Sequence, residues 1–159
     1  MRSKLPFTKI FCNMEPRITR FLRHHHVLTL CTSSEKGSWT AHCFYTFMAD
    51  QEALVFTSDP ETRHGSEMMQ NPNVSGGIML ETKVIGKIQG IQLTGQVMYH
   101  ENTSFPPEAR SAYLNRFPFA MAAKLDLWIL YIDYIKMTDN LLGFGKKLEW
   151  RRGCEEVRM

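Results

Sequence analysis

The densest chemistry in the chain lies in Thr57-Ser58-Asp59-Pro60-Glu61-Thr62-Arg63-His64. An apolar run ends, hydroxyl residues crowd a turn, and a helical segment opens with Arg63 and His64 in its first turn. The first N–H groups of a helix have no internal partners and lie at the positive end of the dipole, so that end attracts anions. Cationic side chains belong at the opposite end. Arg63 and His64 therefore create a local conflict that a bound phosphate would turn into attraction. Arg63 would be a bidentate clamp, with Ser58 and Thr62 as hydroxyl donors. The alternative is structural: Thr62 or Asp59 caps the helix and Arg63 faces solvent.

Other clusters carry less. Gly143-Phe144-Gly145-Lys146-Lys147 lacks the P-loop spacing and the Ser/Thr that follows it, and one reading is a flexible turn with solvated lysines. His24-His25-His26 point in three directions on a helix and have no nearby carboxylate, so no metal is expected. Cations at a helix end explain them more simply. Cys43 adjoins His42 but on the opposite strand face, a poor nucleophile pair. No Ser-His-Asp constellation is present, and no residue stands out as a catalytic acid or base.

These residues need elements to position them. Residues 1–14 read as an irregular arm, with Asn13 placed to cap a helix over 15–25. Pro16 falls in the first turn of that helix, and Ile18, Phe21, Leu22 and His25 share helical spacing. Val27–Thr32, Ser38–Met48 and Ala53–Ser58 read as an antiparallel meander. The long middle strand shows Trp39, Ala41, Cys43, Tyr45 and Phe47 on one face and Thr40, His42, Phe44 and Thr46 on the other. A helix from about Thr62 to Gln70 ends at Asn71-Pro72-Asn73. Val74–Glu81 and Ile88–His100 read as strands, with Gly76-Gly77 marking a bulge or a close backbone approach. Pro106-Pro107 opens a helix to about Phe117, and a further helical turn spans about Phe119 to Lys124. Leu127–Met137 and Lys146–Trp150 complete the strands, and 151–159 is a polar tail. The pattern predicts a mainly β protein: a six- or seven-stranded antiparallel barrel with inserted helices, spanning 15–150.

Composition narrows the class. The 159 residues suit one domain, and 43% hydrophobic with 22% charged residues argues against disorder. A net charge of +3 without a basic stripe argues against nucleic acid. Cys12, Cys31, Cys43 and Cys154 form no C-x-x-C pair, which removes zinc-finger and thioredoxin readings and fits reduced thiols. No apolar stretch approaches the roughly 20 residues of a membrane span. Lys9 interrupts what would be the apolar region of a signal peptide after Arg2 and Lys4. The expectation is a soluble cytoplasmic protein.

The order strand, strand, strand, T-S-D-x-x-T-R-H, helix, N-P-N-V and glycine-bearing strand resembles the pyridoxamine 5'-phosphate oxidase-like FMN-binding split barrels. The later Thr138-Asp139-Asn140-Leu141-Leu142-Gly143-Phe144-Gly145-Lys146-Lys147-Leu148-Glu149-Trp150 resembles a bacterial branch of that superfamily, and the likeness spans about Thr19 to Trp150. It implies a homodimer with FMN in grooves at the interface. Arg63 matches the phosphate arginine, His64 stands where many relatives have lysine, and Thr57 and Ser58 match hydroxyl positions. Ala41-His42-Cys43-Phe44 matches the strand whose backbone borders the flavin ring. Gln92 matches a polar position that approaches the ligand from the partner chain. Lys146 would reach the phosphate from the other subunit, with Trp150 covering the ring. The resemblance implies a flavin-dependent oxidoreductase. The alternative is a non-enzymatic module on the same dimeric barrel that binds heme, a deazaflavin or stored flavin. Heme would need an axial ligand such as His42, His64 or His100.

Overall fold

In the computed structural model, residues 9–11, 13–100, 105–122 and 125–153 are described. Alternation of inward apolar and outward polar residues makes the sheet. Val27–Ser34 (β2) and Gly37–Met48 (β3) form a hairpin whose turn places Gly37 at φ +98°, a region that favours glycine. Ala53–Thr57 (β4) pairs back on β3, as the meander predicts. Asn73–Met79 (β5) and Gln89–His100 (β6) lie beyond β2. Leu127–Asp139 (β7) runs along the whole of β6 on one edge. On its other edge β7 pairs first with β4 and then with Lys147–Arg151 (β8). The circuit β7-β4-β3-β2-β5-β6 closes on itself as an antiparallel barrel, with β8 as a seventh strand. The fold class is the expected one.

Several local expectations are corrected. Lys9–Phe11 is a strand (β1) pairing parallel with β8, where an irregular arm was expected. The rest of that arm, residues 1–8 and Cys12, lies outside the described residues, as do Cys154 and the tail from 154. Arg151 belongs to β8, and Arg152 donates from Nε to the Ile132 carbonyl at 2.8 Å, so the barrel continues past Trp150. The helix Pro16–His24 (α1) is capped by Glu15, whose carboxylate accepts from the Arg17 N–H, and not by Asn13. Gly76 marks a close approach: a Cβ there would lie 2.8 Å from Leu28 Cδ1 and 3.0 Å from the Thr29 carbonyl. The bulge itself falls at Thr94/Gly95.

The core sits inside the barrel. Leu28, Leu30, Tyr45, Leu54, Phe56, Leu93 and Ile135 fill it from the strands. Ile18, Phe21 and Leu22 of α1 join this core, each worth about 1.5–3 kcal/mol of burial. The Tyr45 hydroxyl donates to the Leu22 carbonyl at 2.9 Å and ties α1 down. Arg63–Gln70 (α2) contributes Met68. Pro107–Arg116 (α3) packs Ala109 and Tyr113 on Ala53, Val55, Leu127 and Ile129, the outer face of β4 and β7. The turn Pro118–Ala122 follows, and the end of that predicted turn, 123–124, lies outside the described residues. No helix among the described residues is long and apolar enough to cross a membrane.

A Cβ on Gly95 would overlap the Tyr131 carbonyl oxygen, whereas one on Gly86 meets open space. Gly95→Ala is therefore expected to cost about 1–3 kcal/mol in chemical denaturation, and Gly86→Ala to stay within about 0.5 kcal/mol of the parent. Equal stabilities would remove the close β6–β7 approach from the closure of the barrel.

Candidate functional site

β4 delivers Thr57 to a tight turn. Asp59 accepts the Glu61 N–H on its side chain at 2.8 Å and the Thr62 N–H on its carbonyl at 3.1 Å. Thr62 caps α2: its hydroxyl oxygen accepts the Gly65 N–H at 3.2 Å, and its carbonyl accepts the Ser66 N–H at 2.8 Å. Gly65 is required here, since a Cβ would overlap the Asp59 carbonyl. The N–H groups of Arg63 and His64, at the first two helical positions, have no acceptor among the described residues and are open to one outside the helix.

The predicted phosphate residues divide into two groups. His64 turns back, and its Nε2 meets Ser58 Oγ at 2.5 Å and Thr62 Oγ1 at 3.3 Å. Burial pushes its imidazole below the usual value, with Glu67 pulling the other way. Arg63 goes to the opposite side. Its Nε donates to Glu67 Oε1 at 3.0 Å, and its guanidinium lies 4.3 Å above the Trp39 ring. It therefore neither faces bare solvent nor joins the hydroxyl cluster. Arg63 lines an open groove of about 850 Å³ with Ser33, Ser34, Lys36, Ser66 and Gln70. Thr57 and Ser58 line another, of about 550 Å³, with Tyr99, Ala120 and Asp126. Thr57 Oγ1 stands 3.4 Å from the Tyr113 hydroxyl.

Glu67 is the residue that sequence reasoning missed. It is 7% exposed, accepts from Thr32 Oγ1 at 2.5 Å and Ser34 Oγ at 3.1 Å, and holds Arg63 one helical turn away. Hydrogen bonds from Thr32 and then Arg63 keep its carboxyl below the usual range. The available signal was the Arg63/Glu67 spacing of four on one helix face. Trp39 also differs from expectation: it belongs to the inward-facing set by parity, yet it is 44% exposed at the barrel rim, under Arg63.

The second feature is an outer sheet face. Cross-strand partners share a face, and the register aligns His42 (β3), Thr29 (β2), Gly77 (β5) and Gln92 (β6) in one row. Thr29 Oγ1 and His42 Nδ1 lie 3.2 Å apart. Gly77 bares the backbone in mid-row. Phe44, on the same face and 56% exposed, stacks on His26 at 5.8 Å and meets Phe117 at 5.7 Å.

Four predicted residues do not present their side chains at this face. The Cys43 side chain points into the core, and burial pushes its thiol up to about 11, so only its backbone borders the platform. Trp150 is fully buried in the barrel core and cannot cover a ring. Lys146 precedes β8 beside Thr138, at the opposite end of β7 from Leu127 and its partner Thr57, so one chain does not bring it to Arg63. His100 Nε2 is buried without a partner among the described residues, beside Phe105 and away from the platform row. No group of three metal-binding side chains occurs among the described residues.

The family described as pyridoxamine 5'-phosphate oxidase matches residues 14–127, which include the platform strands and the β4–α2 junction. The chain belongs to this family. A UPF0306 protein from Photorhabdus laumondii is 46% identical over 85% of this chain and 94% of its own. Among solved structures, a heme binding protein from Mycobacterium smegmatis superposes with a TM-score of 0.65 at 18% identity, over 82% of this chain and 55% of that one. A FAD-binding protein from Mesorhizobium loti gives 0.63 at 14% identity, over 76% and 89%. At such identities these structures share the fold with this family member.

The depressed His64 imidazole has a stability consequence. The folded chain holds it neutral, while the unfolded chain protonates near 6.5. The unfolded state therefore gains the proton first as pH falls, and stability drops below about pH 6.5. His64→Gln is expected to flatten the decline in Tm from about pH 7 to about pH 5. His25, also depressed, sustains the remainder. An unchanged slope would remove His64 from this dependence.

Proposed function

We propose that the chain binds FMN as a homodimer and serves as a flavin-dependent oxidoreductase. The observation that carries this reading is the α2 N-terminus: two N–H groups remain for an outside acceptor beside an arginine already oriented by Glu67 and Trp39. The donor set suits a phosphate, with Arg63 as its full charge and the Ser58–Thr62–His64 cluster beside the same helix end. His64, neutral and hydrogen-bonded, would act as a positioning group where many relatives carry a lysine charge. The platform from His42 to Gln92 spans three inter-strand steps, about 14 Å, room for a tricyclic ring. Its glycine would let such a ring approach the backbone, and the exposed Phe44 would border the ring on one side. In the homodimer, Lys146 of the partner subunit would bring a second cation. The flavin, when bound, supplies the electron chemistry, and the protein binds, orients and shields it. The FAD-binding neighbour on the same fold supports a flavin ligand.

A second reading is heme, which the Mycobacterium smegmatis neighbour binds. His42 favours it, since Thr29 engages its Nδ1 on an exposed strand face and its Nε2 has no partner among the described residues.

Arg63→Ala separates the two readings. Flavin fluorescence quenching is expected to show FMN affinity falling about 10- to 100-fold, the loss of a charge-assisted bond. Heme uptake, followed by absorbance, should fall with His42→Ala and not with Arg63→Ala. Equal FMN affinity of parent and Arg63→Ala would overturn the phosphate assignment.

A further inference from the structure

A small cavity of about 200 Å³ on α1 is lined by Arg17, Arg20, Phe21, His24, His25 and Gln89. Arg17, Arg20 and His24 fall at spacings of three and four, one side of the helix, while Ile18 and Leu22 are buried. His25 closes the helix, its N–H returning to the Phe21 carbonyl at 3.1 Å. Its ring lies 4.1 Å from that of Phe21 and 5.2 Å from that of His24.

The charge count here is one-sided. The buried carboxylate that reaches the cavity wall is Asp139, and it is already occupied. One oxygen accepts from Arg17 Nη1 at 2.7 Å, and the other accepts from Gln89 Nε2 and the Leu141 N–H, each at 3.1 Å. Glu15 is taken up by its capping bond to the Arg17 N–H. Arg20 makes no ion pair among the described residues, and Arg116 of α3 adds a further cation by donating to the His25 carbonyl at 2.7 Å. Helix C-terminal polarity accounts for His24 and His25. It does not account for Arg20, at the middle of a helix whose first turn holds no acid, whereas Arg17 is held by Asp139.

We propose that this cavity is an anion site that takes a doubly charged tetrahedral oxyanion, the phosphate group of a small metabolite. Arg20 and the free edge of the Arg17 guanidinium clamp it, and His24 and His25 donate to it. The site shares no residue with the flavin reading and stands without it. The imidazole of His25 agrees in direction: burial first, then His24, His26 and Arg116, hold it below its usual value. An anion among these groups offsets their repulsion and favours protonation, so binding tightens as pH falls through the imidazole range.

Sulfate is the probe, because its charge stays constant where imidazoles titrate. The full chain is titrated with sodium sulfate against sodium chloride of matched ionic strength, and the histidine ring signals are followed by NMR. Saturable shifts of His24 and His25 are expected, with the His25 midpoint rising by about one pH unit in excess sulfate. Arg20→Ala and Arg20→Gln, at an exposed position, should keep the Tm and weaken sulfate binding about tenfold or more. FMN titration of the same variants should not change. Sulfate shifts no larger than those in chloride, or undiminished binding in both Arg20 variants, would overturn the proposal.

Discussion

Everything at the site depends on β7 closing the barrel along two edges. One strand pairs with β6 throughout, with β4 in its first part and with β8 in its second. Such a strand must bend, and the register shifts at Thr94/Gly95, where the chain approaches the Tyr131 carbonyl closer than any side chain permits. This closure ends β4 at Thr57 against Leu127, the point from which the turn into α2 starts. It also sets β3, β2, β5 and β6 side by side, with α3 lying over β4, β7 and the later part of β3, where Phe117 meets Phe44.

Two buried carboxylates then orient the arginines at the surface. Glu67 holds Arg63 beneath α2, and Asp139 holds Arg17 beneath α1. A buried ion pair contributes little net stability, because desolvation offsets the attraction. Its effect is geometric: with Nε on Glu67 and its plane over Trp39, Arg63 gives up much of its rotamer freedom before any ligand arrives. Preorganisation of that kind lowers the entropic cost of binding.

The site also separates charge from hydrogen bonding. His64, Ser58 and Thr62 satisfy one another on one side of the α2 start, while the permanent charge of Arg63 lies on the other. The helix end between them is where the two meet. An anion there would have one fixed cation and a set of donors of which His64 alone titrates in the imidazole range.

Strand periodicity, the Thr-Arg-His turn and the Asn-Pro stop determined the barrel, the helix after β4 and the polar face of β3, because each is written in local spacing. Thr62 as a cap was legible for the same reason. Partners distant in sequence decided the rest. Glu67 gained its role only when α2 packed on β2, bringing Thr32 and Ser34 to it. Trp150 shares the apolar face of Lys147–Arg151 with Leu148, and the pairing of β8 with β7 sends that face into the core, whereas the resemblance places Trp150 over a ligand ring. The row from His42 to Gln92 is invisible in one dimension, since register across four strands is set by packing of the whole sheet. Local chemistry thus marked the start of α2, where N–H groups, hydroxyls and an arginine gather, and tertiary contact alone chose which side of it Arg63 would face.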